Sequence, residues 1–131
     1  MITLSITTTQ QTEFLDITEK VEEVILKAQA SDGLALIYIP HTTAGITINE
    51  GADPSVQEDI LRMLNQMVPF KGPYRHSEGN SPAHIKSSLI GSSVSVMIEN
   101  GRLILGRWQS LFFCEFDGPR TRKVLIKIIP Q

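Results

Sequence analysis

Three histidines stand in polar sequence beside the boundaries of regular elements. His41 lies in "PHTTAGITINEG" (40–51), and His76 and His84 share "HSEGNSPAHIK" (76–86). Three imidazoles could hold zinc or a related divalent ion and leave one position for water or substrate. Glu50 and Glu78 could add an oxygen ligand or a general base. The spacing is not diagnostic, because it contains neither H-E-x-x-H nor a cysteine-bearing zinc pattern. Neutral histidines that hydrogen-bond loops in place account for the same residues, histidine being common at partly buried positions. A second chemistry overlaps the first. Arg75 and Lys86 flank the histidines, a helix opening near Ser81 would offer unpaired N–H groups to an anion, and Thr42 and Thr43 add hydroxyls. Together they suit a phosphate, although no Walker A loop is present. Cations are frequent on surfaces, so a plain solvated role stays open beside this one.

Cys114, in "FFCEF", is the sole cysteine. It reads either as a small core residue or as a nucleophile, and no neighbouring sequence supplies the activation a nucleophile needs. Trp108, Gln109 and Phe112 suit packing across a sheet or a subunit contact. With 14 acidic against 12 basic residues, nothing draws a polyanion to the surface as a whole, so no nucleic-acid partner is expected. No apolar run approaches membrane-spanning length, and "MITLSITTTQQ" lacks the charged start and apolar stretch of a signal peptide. The expectation is therefore a protein of the cytoplasm with no membrane partner. A lone cysteine rules out an intrachain disulfide.

The elements that must position these groups are legible in outline. "ITLSITT" alternates as a strand, and Ile17, Val21, Val24, Ile25 and Ala28 share one helical face with Asp16 or Thr18 as cap. "LALIYI" (34–39) has the solid apolar character of a central strand, and "GITIN" (45–49) returns to alternation. "ADPSVQEDILRMLNQMVP" predicts a helix capped by Asp53 with Pro54 at its first position, burying Val56, Ile60, Met63, Leu64 and Met67. A long polar loop follows, then a short helix over 81–90 with Ser81 as cap and Gly91 as terminator. Asn100-Gly101 marks a hairpin between "SVSVMIE" and the strand-rich "RLILGRWQSLFFCEF", and Asp117-Gly118-Pro119 turns into "RKVLIKII". At 131 residues and 41% apolar content this is one domain, residues 1–131, of α+β class: a largely antiparallel sheet packed with two main helices.

Taken together, "PHTTAGITINEGADP", "EGNSPAHIKSSLIG" and "GRWQSLFFCEFDGPR" resemble the YjbQ-like family, catalogued as protein family 0047. The likeness runs nearly end to end, with the three motifs in order. It implies an α+β homotrimer with a polar pocket at or near the subunit boundary. For some members it also implies a secondary thiamine-phosphate synthase activity, which joins a thiazole phosphate to a pyrimidine pyrophosphate. The site it implies takes His41, Thr42 and Thr43, closed by Asn49 and Glu50. To these it adds His76, Glu78, Gly79, Asn80, His84 and Lys86, then Trp108, Gln109 and Cys114. Arg107 stands where the family usually has threonine, and would add a positive charge if it reaches the pocket. Departure of pyrophosphate calls for cations, a role for Arg75, Lys86 and either zinc at His41, His76 and His84 or magnesium carried by the pyrophosphate. His41, His84 and Glu50 are the expected proton-handling groups. The usual enzymes of this reaction are TIM barrels, too long for this chain, so a secondary activity is easier to reconcile than a dedicated one. The opposing class is a non-enzymatic trimer that binds a metal or a small phosphorylated metabolite.

Overall fold

A computed structural model describes all residues, 1–131. In chain order the elements are β1 (Ile2–Thr7), β2 (Glu13–Asp16), α1 (Thr18–Lys27), β3 (Gly33–Tyr38), β4 (Ala44–Glu50) and α2 (Pro54–Met67). They continue with α3 (Ser81–Ile90), β5 (Ser93–Glu99), β6 (Arg102–Leu103), β7 (Gln109–Glu115) and β8 (Thr121–Pro130). A five-stranded sheet runs β1-β8-β3-β5-β6 and a three-stranded sheet runs β2-β7-β4. Every pairing is antiparallel, so the α+β class holds.

Where the sequence suggested one sheet there are two. The Asp117-Gly118-Pro119 turn carries the chain from β7 in the small sheet to β8 in the large one. Period-2 alternation supplies the core between them: Ala35, Ile37, Val96, Ile98, Val124 and Ile126 from the large sheet meet Ile46, Leu111 and Phe113 from the small one. The other face of β7 is buried as well. Phe112 and Cys114 join Phe14 and Phe116 beneath Leu64 of α2 and Ala83 of α3. Burial on both faces explains the unbroken apolar run of β7, since neither alternate set of side chains faces water.

α1 packs Val21, Val24 and Ile25 inward, and Asp16 accepts hydrogen bonds from the Thr18 N–H and hydroxyl at 3.0 and 2.6 Å. Asp53 caps α2 by accepting from Ser55 N–H at 2.9 Å, with Pro54 where its missing donor costs nothing. The buried stripe of α2 differs from the expected one. Leu64 is buried with Ile60 and Leu61 against the same cluster, whereas Met63 and Met67 are 51% and 65% exposed. Met63 precedes Leu64 by about 100° of helix turn, enough to leave the narrow contact with a three-stranded sheet. α3 is as long as α1, making three helices of comparable standing. Its N-cap is Asn80 rather than Ser81, and no side chain caps it: Asn80 donates its Nδ2 to Asp117, while its Oδ1 is buried without a partner. The Asn100-Gly101 hairpin forms as expected, both residues at positive φ, but β6 then lasts only two residues.

Candidate functional site

Two groups of the expected site residues lie at separate places, the two ends of β4, and Arg75, Glu78, Asn80, Lys86 and Cys114 belong to neither. The leading end is built where β3 stops. β3 pairs with β8 as far as Tyr38 opposite Leu125, and Pro40 then removes the donor that would continue the ladder. The next free N–H along β8, that of Lys123, donates instead to His41 Nε2 at 2.9 Å. An acceptor nitrogen there means a neutral ring with its proton on Nδ1, a tautomer inferred from the bond. Burial lowers the His41 pKa from its ordinary value, and the nearby Arg122 guanidinium lowers it further.

Beneath His41 lies a buried ion pair that the sequence reading did not single out. Arg122 donates through Nε to Glu115 Oε1 at 2.9 Å and through Nη2 to Glu115 Oε2. Nη2 also donates to the Thr43 hydroxyl at 2.9 Å and to its carbonyl at 3.2 Å. Glu115 accepts further bonds from the Thr8 hydroxyl at 2.8 Å and from the Phe116 and Asp117 N–H groups at 3.0 Å. Burial alone would raise the Glu115 pKa. Arg122, the Asp117 N–H and the Thr8 hydroxyl outweigh it and hold the carboxyl below its ordinary value. Both partners had a readable signal. A glutamate inside "LFFCEF" must be paired, and Arg122 shares the inward period of Val124 and Ile126.

The C-terminal half of α3 is fastened to the same end of β4. Ser87 donates its hydroxyl to the Ala44 carbonyl at 2.9 Å, and Ile46 N–H donates to the Gly91 carbonyl at 3.1 Å. This approach requires Gly45, because a Cβ there would lie 2.6 Å from the Gly91 oxygen. Between α3 and the β3–β4 loop opens a polar cavity of about 350 Å³, lined by Thr42, His84, Ser87, Ser88, Gly91 and Ser92. His76 stands edge-on to His84 with ring centroids 5.3 Å apart.

Lys86 follows His84 by two residues, about 200° round the helix, and so faces α2 instead of the cavity. It is fully buried, donates to Asn65 Oδ1 at 2.6 Å, and holds its ammonium 4.3 Å from the centre of the Phe70 ring. Burial lowers its pKa. Asn80 donates to Asp117 Oδ2 at 2.9 Å and ties the long loop to the β7–β8 turn. Arg75 and Glu78 are exposed on that loop, as is His76. Cys114 is fully buried in the smaller core, its thiol donating to the Phe112 carbonyl at 3.6 Å, and burial pushes its pKa up. It lies outside the cavity lining.

The trailing end holds the second group. Asn49 Oδ1 accepts from Glu50 N–H at 2.7 Å, Glu50 lies opposite Gln109 in the β4–β7 register, and Gly51 N–H donates to the Trp108 carbonyl at 2.9 Å. Gln109 folds back to accept from Gly106 N–H at 2.7 Å. Trp108 is 55% exposed, and Arg107 lies over its ring at 4.8 Å, away from the His84 cavity. Six strand steps separate Ala44 from Glu50, about 20 Å. Within one chain the histidines supply a pair, and no group of three or more His, Cys, Asp or Glu side chains is assembled to hold a metal ion.

The chain is similar to known proteins along nearly its whole length. The family described as UPF0047 protein YjbQ-like matches residues 2–131. The UPF0047 protein YugU of Bacillus subtilis is 55% identical over 128 residues, covering 97% of each chain. The UPF0047 protein MJ1081 of Methanocaldococcus jannaschii is 52% identical over 124 residues, 95% of this chain and 90% of the relative. A crystal structure of a YjbQ/UPF0047 family protein from Clostridium acetobutylicum superposes with a TM-score of 0.96 at 54% identity, covering 98% of this chain and 100% of that one. The conserved hypothetical protein TT1486 of Thermus thermophilus superposes with a TM-score of 0.92 at 44% identity and the same coverage. No helix of the structure is long and apolar enough to cross a membrane.

Proposed function

The chain belongs to the UPF0047 YjbQ-like family, and from that premise we propose that it binds a small phosphorylated metabolite at the leading end of β4 and carries a secondary thiamine-phosphate synthase activity there. The observation that carries this reading is the cavity lined by Thr42, His84, Ser87 and Ser88. Its volume, about 350 Å³, suits a small ligand, and its hydroxyls and imidazole are the donors a phosphate ester needs. In the reaction the thiazole nitrogen attacks the methylene carbon of the pyrimidine. A C–N bond forms, the C–O bond to pyrophosphate breaks, and pyrophosphate leaves with the bonding pair. Hydroxyl donors and the His84 imidazole stabilise charge on the departing group.

The donor set fits a metal in part. Two imidazoles on neighbouring corners of a zinc tetrahedron have ring centroids about 5 Å apart, close to the observed 5.3 Å of His76 and His84. Zinc held there would act as a Lewis acid on phosphate oxygens. The lining offers magnesium no carboxylate, so magnesium would reach the site with the pyrophosphate.

A homotrimer reconciles the two ends of β4. Cyclic assembly brings unlike surfaces together, so the trailing end of one copy, with Glu50, Trp108 and Gln109, closes the leading end of the next. An unpartnered apolar face on the large sheet supports association: Leu34 lies opposite Met97 and Ile129, and Tyr38 opposite Leu125. A binding-only role is the second reading, favoured by a cavity whose lining carries a single imidazole as its only titratable group. The test is product formation from both phosphorylated precursors, in magnesium and in zinc, beside His41→Ala and His84→Ala. Loss of product in these folded variants supports the enzyme. Saturable binding of thiazole phosphate without product supports the binding protein, and neither binding nor product would refute both.

A further inference from the structure

Arg122 has donors that its buried ion pair does not use. Its side chain is 3% exposed, yet Nη1 makes no hydrogen bond within the chain. Nη1 is not sealed off from solvent. Nε and Nη2 are already satisfied by Glu115 and Thr43, and these bonds fix the plane and direction of the guanidinium. A fork held in one orientation, with two N–H groups free, loses little freedom when it meets an oxyanion.

The neighbours of that fork are donors too. Thr43, bonded to Arg122, is next in sequence to Thr42, which lines the cavity and whose hydroxyl has no partner in the chain. His41 is anchored to Lys123, the residue after Arg122, through Nε2, which leaves its Nδ1 proton to donate. Arg120 also lies close enough to act on the His41 charge. The negative partner, Glu115, is consumed by five hydrogen bonds from Thr8, Phe116, Asp117 and Arg122.

We propose that Arg122, with His41 and Thr42, forms an oxyanion-recognising patch beside the cavity and takes the phosphoryl group of the metabolite there. The inference rests on the binding reading above and names a cation for it. Lys86 cannot serve as that cation in this conformation, because its ammonium is enclosed between Asn65 and Phe70.

Inorganic phosphate titrated into the intact, isotope-labelled protein tests it by NMR. The side-chain resonances of Arg122 and the ring resonances of His41 should shift together and saturate at a common concentration. Arg122→Lys keeps the charge but not the fork, and should weaken phosphate by about tenfold or more while its amide spectrum stays dispersed. If that variant fails to fold, the wild-type shifts decide alone. Saturable shifts at His84, Ser87 and Ser88 with Arg122 and His41 unmoved would overturn this assignment and leave the binding reading standing. No saturable shift anywhere would overturn both.

Discussion

The start of β4 is held by side chains from β7, β8 and α3, most of them buried; at its last residues the backbone still pairs with β7, but the side chains bond only to sequence neighbours. Thr43 receives a guanidinium that is itself clamped by Glu115, and Ala44 receives the Ser87 hydroxyl. Asn49 bonds only the next N–H, Gln109 bonds back to Gly106, and Trp108 stands half exposed. Long-range bonds among buried groups fix positions before a ligand arrives, which is what a binding or reacting site requires. Short-range bonds on an exposed surface leave side chains free to meet something else. Both ends carry the polar residues that drew attention in the sequence, and packing gives them different work.

The largest effect should come from breaking the clamp. Glu115→Ala strands a buried guanidinium, and chemical denaturation should show a loss of about 3–5 kcal/mol. Asn49→Ala, at the trailing end, should stay within about 0.5 kcal/mol of wild type, as exposed substitutions do. Equal costs at both ends would remove the contrast. A smaller loss is expected for Thr43→Val, about 1 kcal/mol for one buried hydroxyl that accepts from Arg122.

The pH dependence sharpens the same contrast. Glu115 has a folded pKa below its ordinary 4.5, so its contribution is complete above that value and is lost as pH falls through the folded pKa. His41 is likewise lowered from 6.5, because the fold favours the neutral ring. Its contribution is present above 6.5 and is lost as pH falls through the lowered value. Stability measured from pH 7 downward should therefore decline first with His41 and then with Glu115. His41→Gln, which keeps an acceptor for Lys123, should remove only the earlier decline. The smallest effect on the fold, and the clearest on assembly, belongs to Trp108→Ala. Sedimentation velocity should show a trimer in the wild type and easier dissociation in the variant, whose far-UV spectrum is unchanged.

Local signals carried much of this fold. Alternation in β1, the Asp53-Pro54 start of α2, the Asn100-Gly101 hairpin and the Gly91 stop each depend on residues adjacent in sequence, and each forms. What was not legible depends on partners far along the chain. The division into two sheets is decided at a turn whose flanking strands look continuous. The short strand β2 exists because β7 offers it an edge. The exposure of Met63 and Met67 reflects the width of the surface α2 covers, which periodicity does not encode. At the site, the sequence grouped His41, Thr42, Thr43 and His84, and of these Thr42 and His84 line one cavity because the β3–β4 loop and α3 both abut Ala44. It grouped Lys86 with them by adjacency, and the 3.6-residue turn of α3 sends Lys86 to the opposite side. Glu115 and Arg122 each carry a local signal, a charge at an inward position of an apolar strand, but only the fold shows that they pair with each other.

The most direct test of one site made from both ends of β4 is complementation between subunits. His84→Ala and Gln109→Ala chains, each folded and each deficient in thiazole phosphate binding, are unfolded together, mixed in equal amounts and refolded. If the ends meet across a subunit boundary, binding returns at about a quarter of the sites, the fraction of boundaries at which both halves are native. No recovery in mixed trimers, or wild-type binding by Gln109→Ala alone, would contradict a shared site.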